Sequence, residues 1–450
     1  MSERDRAGYW PSPWPGEDGG PRRSQEPLGI AGPAIGERAP VVTHRDAFGA
    51  TMLVLREPGE LFALRHTMPA RAQEPCVAWV ERLDPVTLAT LARSPDLDAG
   101  PFWPGGMACH ANGSLHVVFG RHAHRLSADL APLCRHALPR ARPYNSFVLL
   151  ANGLVVTKDF DHATREPALL SVLDPDSLEP VCPHVPLPEP SIARLSADGD
   201  TVYALGDHTL FRLVWDGRTL VRDPSWSFRY REHPDQSYGW DIALEGGHAW
   251  FMDQGAHDYA GTMLGAGIAE RAIHLYRVSL ADARDRDAVA VCGLPRGTCT
   301  NPPLYDPERR IAVAYDSGNG VIAAWRLTGS GALEPLWRRP LATAGHLIRF
   351  ADTGMLLAYD FHAPAFFRTG VFRALSRWIA PLATRPAARE QLARATSEDV
   401  VLLDLATGEE RARAKVPTMF QSVVFPAPGW SNDVYYCSFS TIARVAFPVA

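Results

Sequence analysis

One hairpin keeps returning along this chain, and it constrains the fold more than any other feature. An alternating apolar stretch meets a tight turn, and a second alternating stretch follows. The clearest copy is NSFVLLANGLVVTKD over 145–159, turning at Asn152-Gly153. That dipeptide supplies the left-handed backbone a tight hairpin needs. Clear copies also run over 107–120, 191–205, 240–253 and 346–360, and looser ones over 51–66, 301–316 and 422–439. Most are followed by a second strand pair whose turn carries an Asp, as in 81–91, 171–181 and 401–416. The unit is four short strands in about 50 residues, and eight such units fill the chain from residue 41 onward.

The units carry no regular helix between strands, which argues against βαβ alternation. Four-stranded units of this length are the blades of a propeller, in which radial repetition protects the edges of each small sheet. The expected fold is an all-β propeller of eight blades, seven being the alternative count. It forms one domain over 41–450, preceded by an irregular leader over 1–40. The last unit lacks an outermost strand, and residues near Ala39 to Thr43 are placed to supply it. The turn pattern resembles the broad propeller superfamily with quinoprotein-like and lactonase-like members, over nearly all of 40–450. That resemblance implies a site at one mouth of a central channel, and no particular chemistry.

Two insertions break the rhythm, at 254–274 and 362–397. In the second, Phe367, Val371, Leu375, Trp378 and Leu382 recur at steps of three and four, with Arg368, Arg373 and Arg377 between them. This is an amphipathic helix pattern, and a second helix is expected over Pro386 to Ala395. The insertion is a candidate lid, or a cover for one blade. The helix over 366–382 is also a candidate for contact with a lipid surface.

The register of the repeat points to candidate residues. Asp159, Asp253 and Asp360 each lie six residues after a turn glycine, and Asp316 lies six after Arg310. These second-strand ends share a face with the starts of the inner strands. Asp159, Asp253, Asp360 and His346 are therefore candidate acid–base groups, with Lys158 and Tyr144 orienting a substrate. Asn145, Trp103, Trp240, Asp241, Tyr259, Asn301, His362 and Phe367 are candidate ligand contacts. Converging carboxylates need water, protonation, basic partners or a cation. Asp159, Asp253, Asp316 and Asp360 are accordingly candidate ligands for a divalent metal. The competing reading makes the same aspartates pins that bond backbone at strand ends. His122 and His124 form a second candidate metal pair, whereas Cys109 and His110 point to opposite faces of a strand and cannot act as a dyad.

Composition narrows the function classes. The formal net charge is -5, whereas phosphate-backbone binding needs concentrated Lys/Arg, so no nucleic-acid partner is expected. Seven scattered cysteines without a CxxC suggest no disulfide framework. No apolar run reaches transmembrane length, and the N-terminal stretch has no apolar signal core. The expected compartment is the cytoplasm. The function expected is an enzyme acting on a small, partly hydrophobic organic metabolite, by hydrolase, lyase or isomerase chemistry that a metal would assist. The alternative is a non-catalytic interaction or ligand-binding propeller.

Overall fold

The computed structural model describes residues 6–68, 76–161 and 165–449, with the side chains of 377–382 left out. The fold is an all-β propeller of eight antiparallel blades, with a helical insertion in the seventh. The chain divides into two compact units, Met1–Arg23 with Thr51–Tyr230 and Ser24–Ala50 with Arg231–Ala450.

In the first unit the innermost strands of blades 1 to 4 are Ala50–Leu55, Gly106–Cys109, Tyr144–Leu149 and Ser196–Asp198. In the second unit those of blades 5 to 8 are Ala243–Glu245, Leu304–Asp306, Ile348–Phe350 and Ala427–Pro428. Blade 1 carries one extra strand, Leu97–Gly100, paired to its third. Val41–Asp46 pairs with Thr441–Ala446 and completes blade 8 as its outermost strand, as the missing strand in the last repeat led us to expect.

The turns hold the backbone shapes their residues demand. Gly153 has φ 88, and Arg310 takes the equivalent left-handed conformation at φ 56 without being glycine. The outer hairpins close on Asx turns. Asp84 Oδ1 accepts from the backbone N–H of Val86 (3.0 Å) and Thr87 (2.7 Å), and Asp174 and Asp404 do the same in their blades. Between blades, inward residues of neighbouring sheets interdigitate. Val148, Val156, Leu170, Leu195, Ala204 and Leu213 form one such cluster.

The leader is irregular in conformation but closely packed. In the first unit, Tyr9 Oη accepts from Leu149 N–H (3.1 Å), Trp14 O from Leu55 N–H (2.9 Å), Pro15 O from Cys109 N–H (2.7 Å) and Pro21 O from Ala197 N–H (2.8 Å). Residues 9–21 thus bond the innermost strand of all four blades, edges that would otherwise present unpaired backbone. In the second unit, Gln25 O accepts from Arg349 N–H (2.7 Å) and Gln25 Nε2 donates to Pro303 O (2.7 Å).

The insertion in blade 7 lies between Met355–His362 and Ser397–Asp404. It forms two helices, α1 (Gly370–Ala383) and α2 (Pro386–Ala395). Phe372 and Arg373 are buried on α1 and Arg389 on α2, whereas Val371 and Leu375 of the periodic apolar set face solvent. The reason is that Arg373 fixes the rotation of α1. Its guanidinium donates to Asp258 O (3.1 Å) and Leu264 O (2.5 Å) of the blade 5 insertion. Trp378 and Leu382 of the same set, with Arg377, fall among the side chains not described.

Candidate functional site

Each of the four repeat aspartates accepts a backbone N–H. Asp159 Oδ1 accepts from Leu169 N–H (2.6 Å), Asp253 Oδ1 from His274 N–H (2.7 Å), Asp316 Oδ1 from Thr298 N–H (3.2 Å) and Asp360 Oδ1 from Ala342 N–H (3.0 Å). The second carboxylate oxygen of each finds a different neighbour: Arg140 Nη1 (3.2 Å) for Asp159, Gln236 Nε2 (2.8 Å) and Tyr276 Oη (3.2 Å) for Asp253, Cys292 Sγ (2.9 Å) and Asn319 Nδ2 (2.7 Å) for Asp316, and Arg413 Nη1 (2.9 Å) for Asp360. These side chains fasten the end of the second strand to the next strand of the blade or to the loop leading into it. Burial raises the Asp253 carboxyl to about 7. Asp253→Ala would strand the buried donors of Gln236 and Tyr276 and the part-buried N–H of His274. We expect a loss of about 3 kcal/mol, read as a lower urea midpoint.

The other residues singled out by register also have defined neighbours. In the first unit, Tyr144 is the direct cross-strand partner of Asp159, Lys158 Nζ donates to Ser191 O (2.7 Å) and Asn145 Nδ2 to Ile192 O (2.6 Å). Trp103 packs edge-on against Phe160 at 5.0 Å. His122 and His124 each meet a backbone carbonyl, of Ala99 (2.9 Å) and Asp98 (2.7 Å). In the second unit, Asn301 Nδ2 donates to Ala344 O (2.6 Å), His346 stacks on Phe425 at 4.0 Å, and Trp240 Nε1 donates to Gly255 O (2.9 Å). Asp241 is fully buried beside Trp240 in the chain. Tyr259 Oη donates to Gln421 O (3.2 Å), and Gln421 Oε1 accepts from Met263 N–H (2.7 Å). Those bonds draw the 254–274 insertion of blade 5 to the loop leading into blade 8.

One group of side chains opens onto a cleft. Asp360 and Asp399 are direct cross-strand partners in blade 7. Like charges placed opposite each other in a sheet need a counter-ion. Arg413 Nη1 supplies it, donating to Asp360 Oδ2 (2.9 Å) and Asp399 Oδ2 (2.7 Å). His362 Nε2 sits 2.9 Å from Asp399 Oδ2, and its side chain is 49% exposed. A carboxylate only accepts, so Nε2 donates to Asp399, and in the neutral ring Nδ1 keeps the lone pair. Beside His362 is a cleft of about 310 Å³, walled by Arg394, Thr396, Ser397, Lys415 and Pro417. A second cleft, of about 470 Å³, borders α2 between Asp46, Arg389 and Met419. Arg389 anchors that helix through a bidentate pair with Asp46 at 2.6 and 3.0 Å.

The chemistry open to this group is proton transfer at His362, with Asp399 orienting the ring and Lys415 offering positive charge, while Arg394 on the same wall is paired with Glu390 (2.8 Å). Asp360, His362 and Asp399 also present ligand atoms within 4.8 Å of one another, a set that could hold a divalent metal. Asp399 and Arg413 were not singled out in the sequence.

Nor was Glu398, on the opposite face of the same strand. Glu398 is fully buried, and burial pushes its carboxyl up to about 8. Its Oε2 accepts from Tyr436 Oη (2.6 Å) and Ser422 N–H (2.7 Å). The signal was present: Glu398 shares its strand phase with Val400 and Leu402, where an acid is out of place.

No family model matches the chain, and no curated protein does. Solved structures match it. The quinohemoprotein alcohol dehydrogenase of Comamonas testosteroni aligns over 97% of this chain and 81% of its own, with TM-score 0.60 and 10% identity. The quinohemoprotein alcohol dehydrogenase ADHIIG of Pseudomonas putida HK5 aligns over 99% and 81%, with TM-score 0.54 and 9% identity. The likeness is one of fold. It agrees with the propeller fold read from the turns.

Proposed function

We propose that this propeller is an enzyme acting on a small, partly apolar organic anion in the cleft beside His362. The observation that carries the reading is the His362–Asp399 pair at 2.9 Å, half-exposed on a cleft wall that also holds Lys415. His362 Nδ1 takes a proton from the substrate or from water, and Asp399 stabilises the imidazolium that forms. Lys415 holds the anionic end, while Ala363, Pro364, Ala393 and Pro417 face the apolar part. Hydrolysis, elimination and isomerisation all begin with such a transfer. The propeller supplies a rigid frame, and fold alone selects none of these reactions.

The experiment is equilibrium binding of aryl and alkyl carboxylates and phosphate monoesters to the full chain. We expect at least one to bind, and Lys415→Ala and His362→Ala each to weaken it at least tenfold without shifting the melting temperature. Binding that is indifferent to both substitutions would overturn the reading.

A metal centre is the second reading, favoured by the three clustered ligand atoms of Asp360, His362 and Asp399. Against it, Arg413 already donates to both carboxylates. We expect equilibrium dialysis with Mn²⁺ or Zn²⁺ to show no stoichiometric ion on the wild-type chain, and one ion per chain on Arg413→Gln. A stoichiometric ion on the wild type would make the cleft a metal site, with the metal available to polarise a substrate oxygen.

A further inference from the structure

The blade 7 insertion has an outer face for which neither the fold nor the cleft has a use. Phe366, Val371 and Leu375 are 49%, 63% and 47% exposed. Among the described residues, no other stretch of ten carries three exposed large apolar side chains. Their exposure follows from how the insertion is tied down. Phe372 stacks on Phe367 at 4.3 Å, and Arg373 reaches the carbonyls of Asp258 and Leu264, which turns Val371 and Leu375 outward.

The charge of the segment is equally one-sided. Residues 363–396 contain six arginines and one acidic residue, Glu390, in a chain whose formal net charge is -5. Arg373 and Arg389 are spent on internal bonds. Arg368 and Arg385 are exposed, with no ion pair among the described residues. Exposed apolar side chains in an arginine-rich segment match an anionic bilayer surface, where apolar side chains enter the headgroup boundary and arginines meet lipid phosphates. α1 has 14 residues, and no helix among those described is long and apolar enough to cross a membrane.

We propose that the outer face of the blade 7 insertion docks the protein on anionic lipid surfaces, with Phe366, Val371 and Leu375 inserted and Arg368 and Arg385 on the headgroups. This does not depend on the reading of the cleft, because none of these side chains lines it. The test is sedimentation of the full chain with vesicles of pure phosphatidylcholine, and with vesicles containing 30 mol% phosphatidylserine. Partitioning should rise at least tenfold with the anionic lipid and fall at least tenfold in 0.5 M NaCl. Val371→Asp with Leu375→Asp should abolish it while leaving the melting temperature and the cleft's anion binding unchanged. Equal partitioning to both vesicles, no partitioning to either, or an unaffected double variant would overturn the proposal. Failure of the vesicle test with capture of an acidic protein would assign the face to a protein partner instead.

Discussion

Replacing Arg23 with methionine is expected to cost the protein about 3–5 kcal/mol, read as a lower urea midpoint. The guanidinium is buried, and it pairs with Glu17 and, at 3.1 Å, with Asp18. It also donates to Ser146 Oγ (3.1 Å) in blade 3 and to Leu195 O (3.0 Å) beside the innermost strand of blade 4. Methionine fills much of the volume but leaves two buried carboxylates short of their counter-ion. The backbone adds to the cost, since Asp18 and Arg23 have φ of 51 and 50, shapes that persist only when neighbours hold them. Adding Glu17→Gln and Asp18→Asn to the methionine variant should recover part of the loss, because both buried carboxylates are then neutral, although buried Arg194, 3.7 Å from Glu17, gives up its ion pair. A single variant within about 1 kcal/mol of wild type would mean that the leader does not clamp these strands.

The second large effect is a dependence on pH. Glu398 titrates near 8 in the folded protein, against an ordinary value of 4.5. An acid whose folded value is raised binds its proton more tightly when folded. The stability this confers is complete below 4.5 and is lost as pH rises through 8. Between about pH 5 and about pH 9 the wild-type chain should lose stability on the order of 4 kcal/mol relative to Glu398→Gln. The amide oxygen of glutamine can accept from both Tyr436 and Ser422, so the substitution removes the titration while keeping those bonds. Asp253, raised to about 7, works in the same direction and leaves a residual slope in the variant. Parallel pH profiles for the two proteins would mean that the Glu398 carboxyl is hydrated.

The repeat made most of the fold legible, because turn chemistry and strand alternation are local. Asn152-Gly153, the Asx turns and the missing strand of the last unit each needed only a short window of sequence. The four aspartates were legible as equivalent positions, but their partners were not. A period says where a side chain begins, and the loops that supply Arg140, Gln236 and Cys292 follow no period. The group at the cleft stayed hidden for a related reason. Asp360 and Asp399 are adjacent across a strand pair, yet the two helices separate them in the chain. The leader has no periodicity at all, so nothing local foretold that residues 9–21 would run along four inner strands. Helix α1 shows the limit of an amphipathic pattern. The spacing of Val371 and Leu375 predicted a helix but not which side would face out, and Arg373 decided that.

A crystal structure of the full chain soaked with the tightest-binding carboxylate or phosphate ester is the most direct test of a working site at the rim of blade 7. The compound should lie in the cleft with its anionic group on Lys415 and a polar atom within about 3 Å of His362 Nδ1. Density for the compound elsewhere, with the cleft holding only solvent, would contradict it.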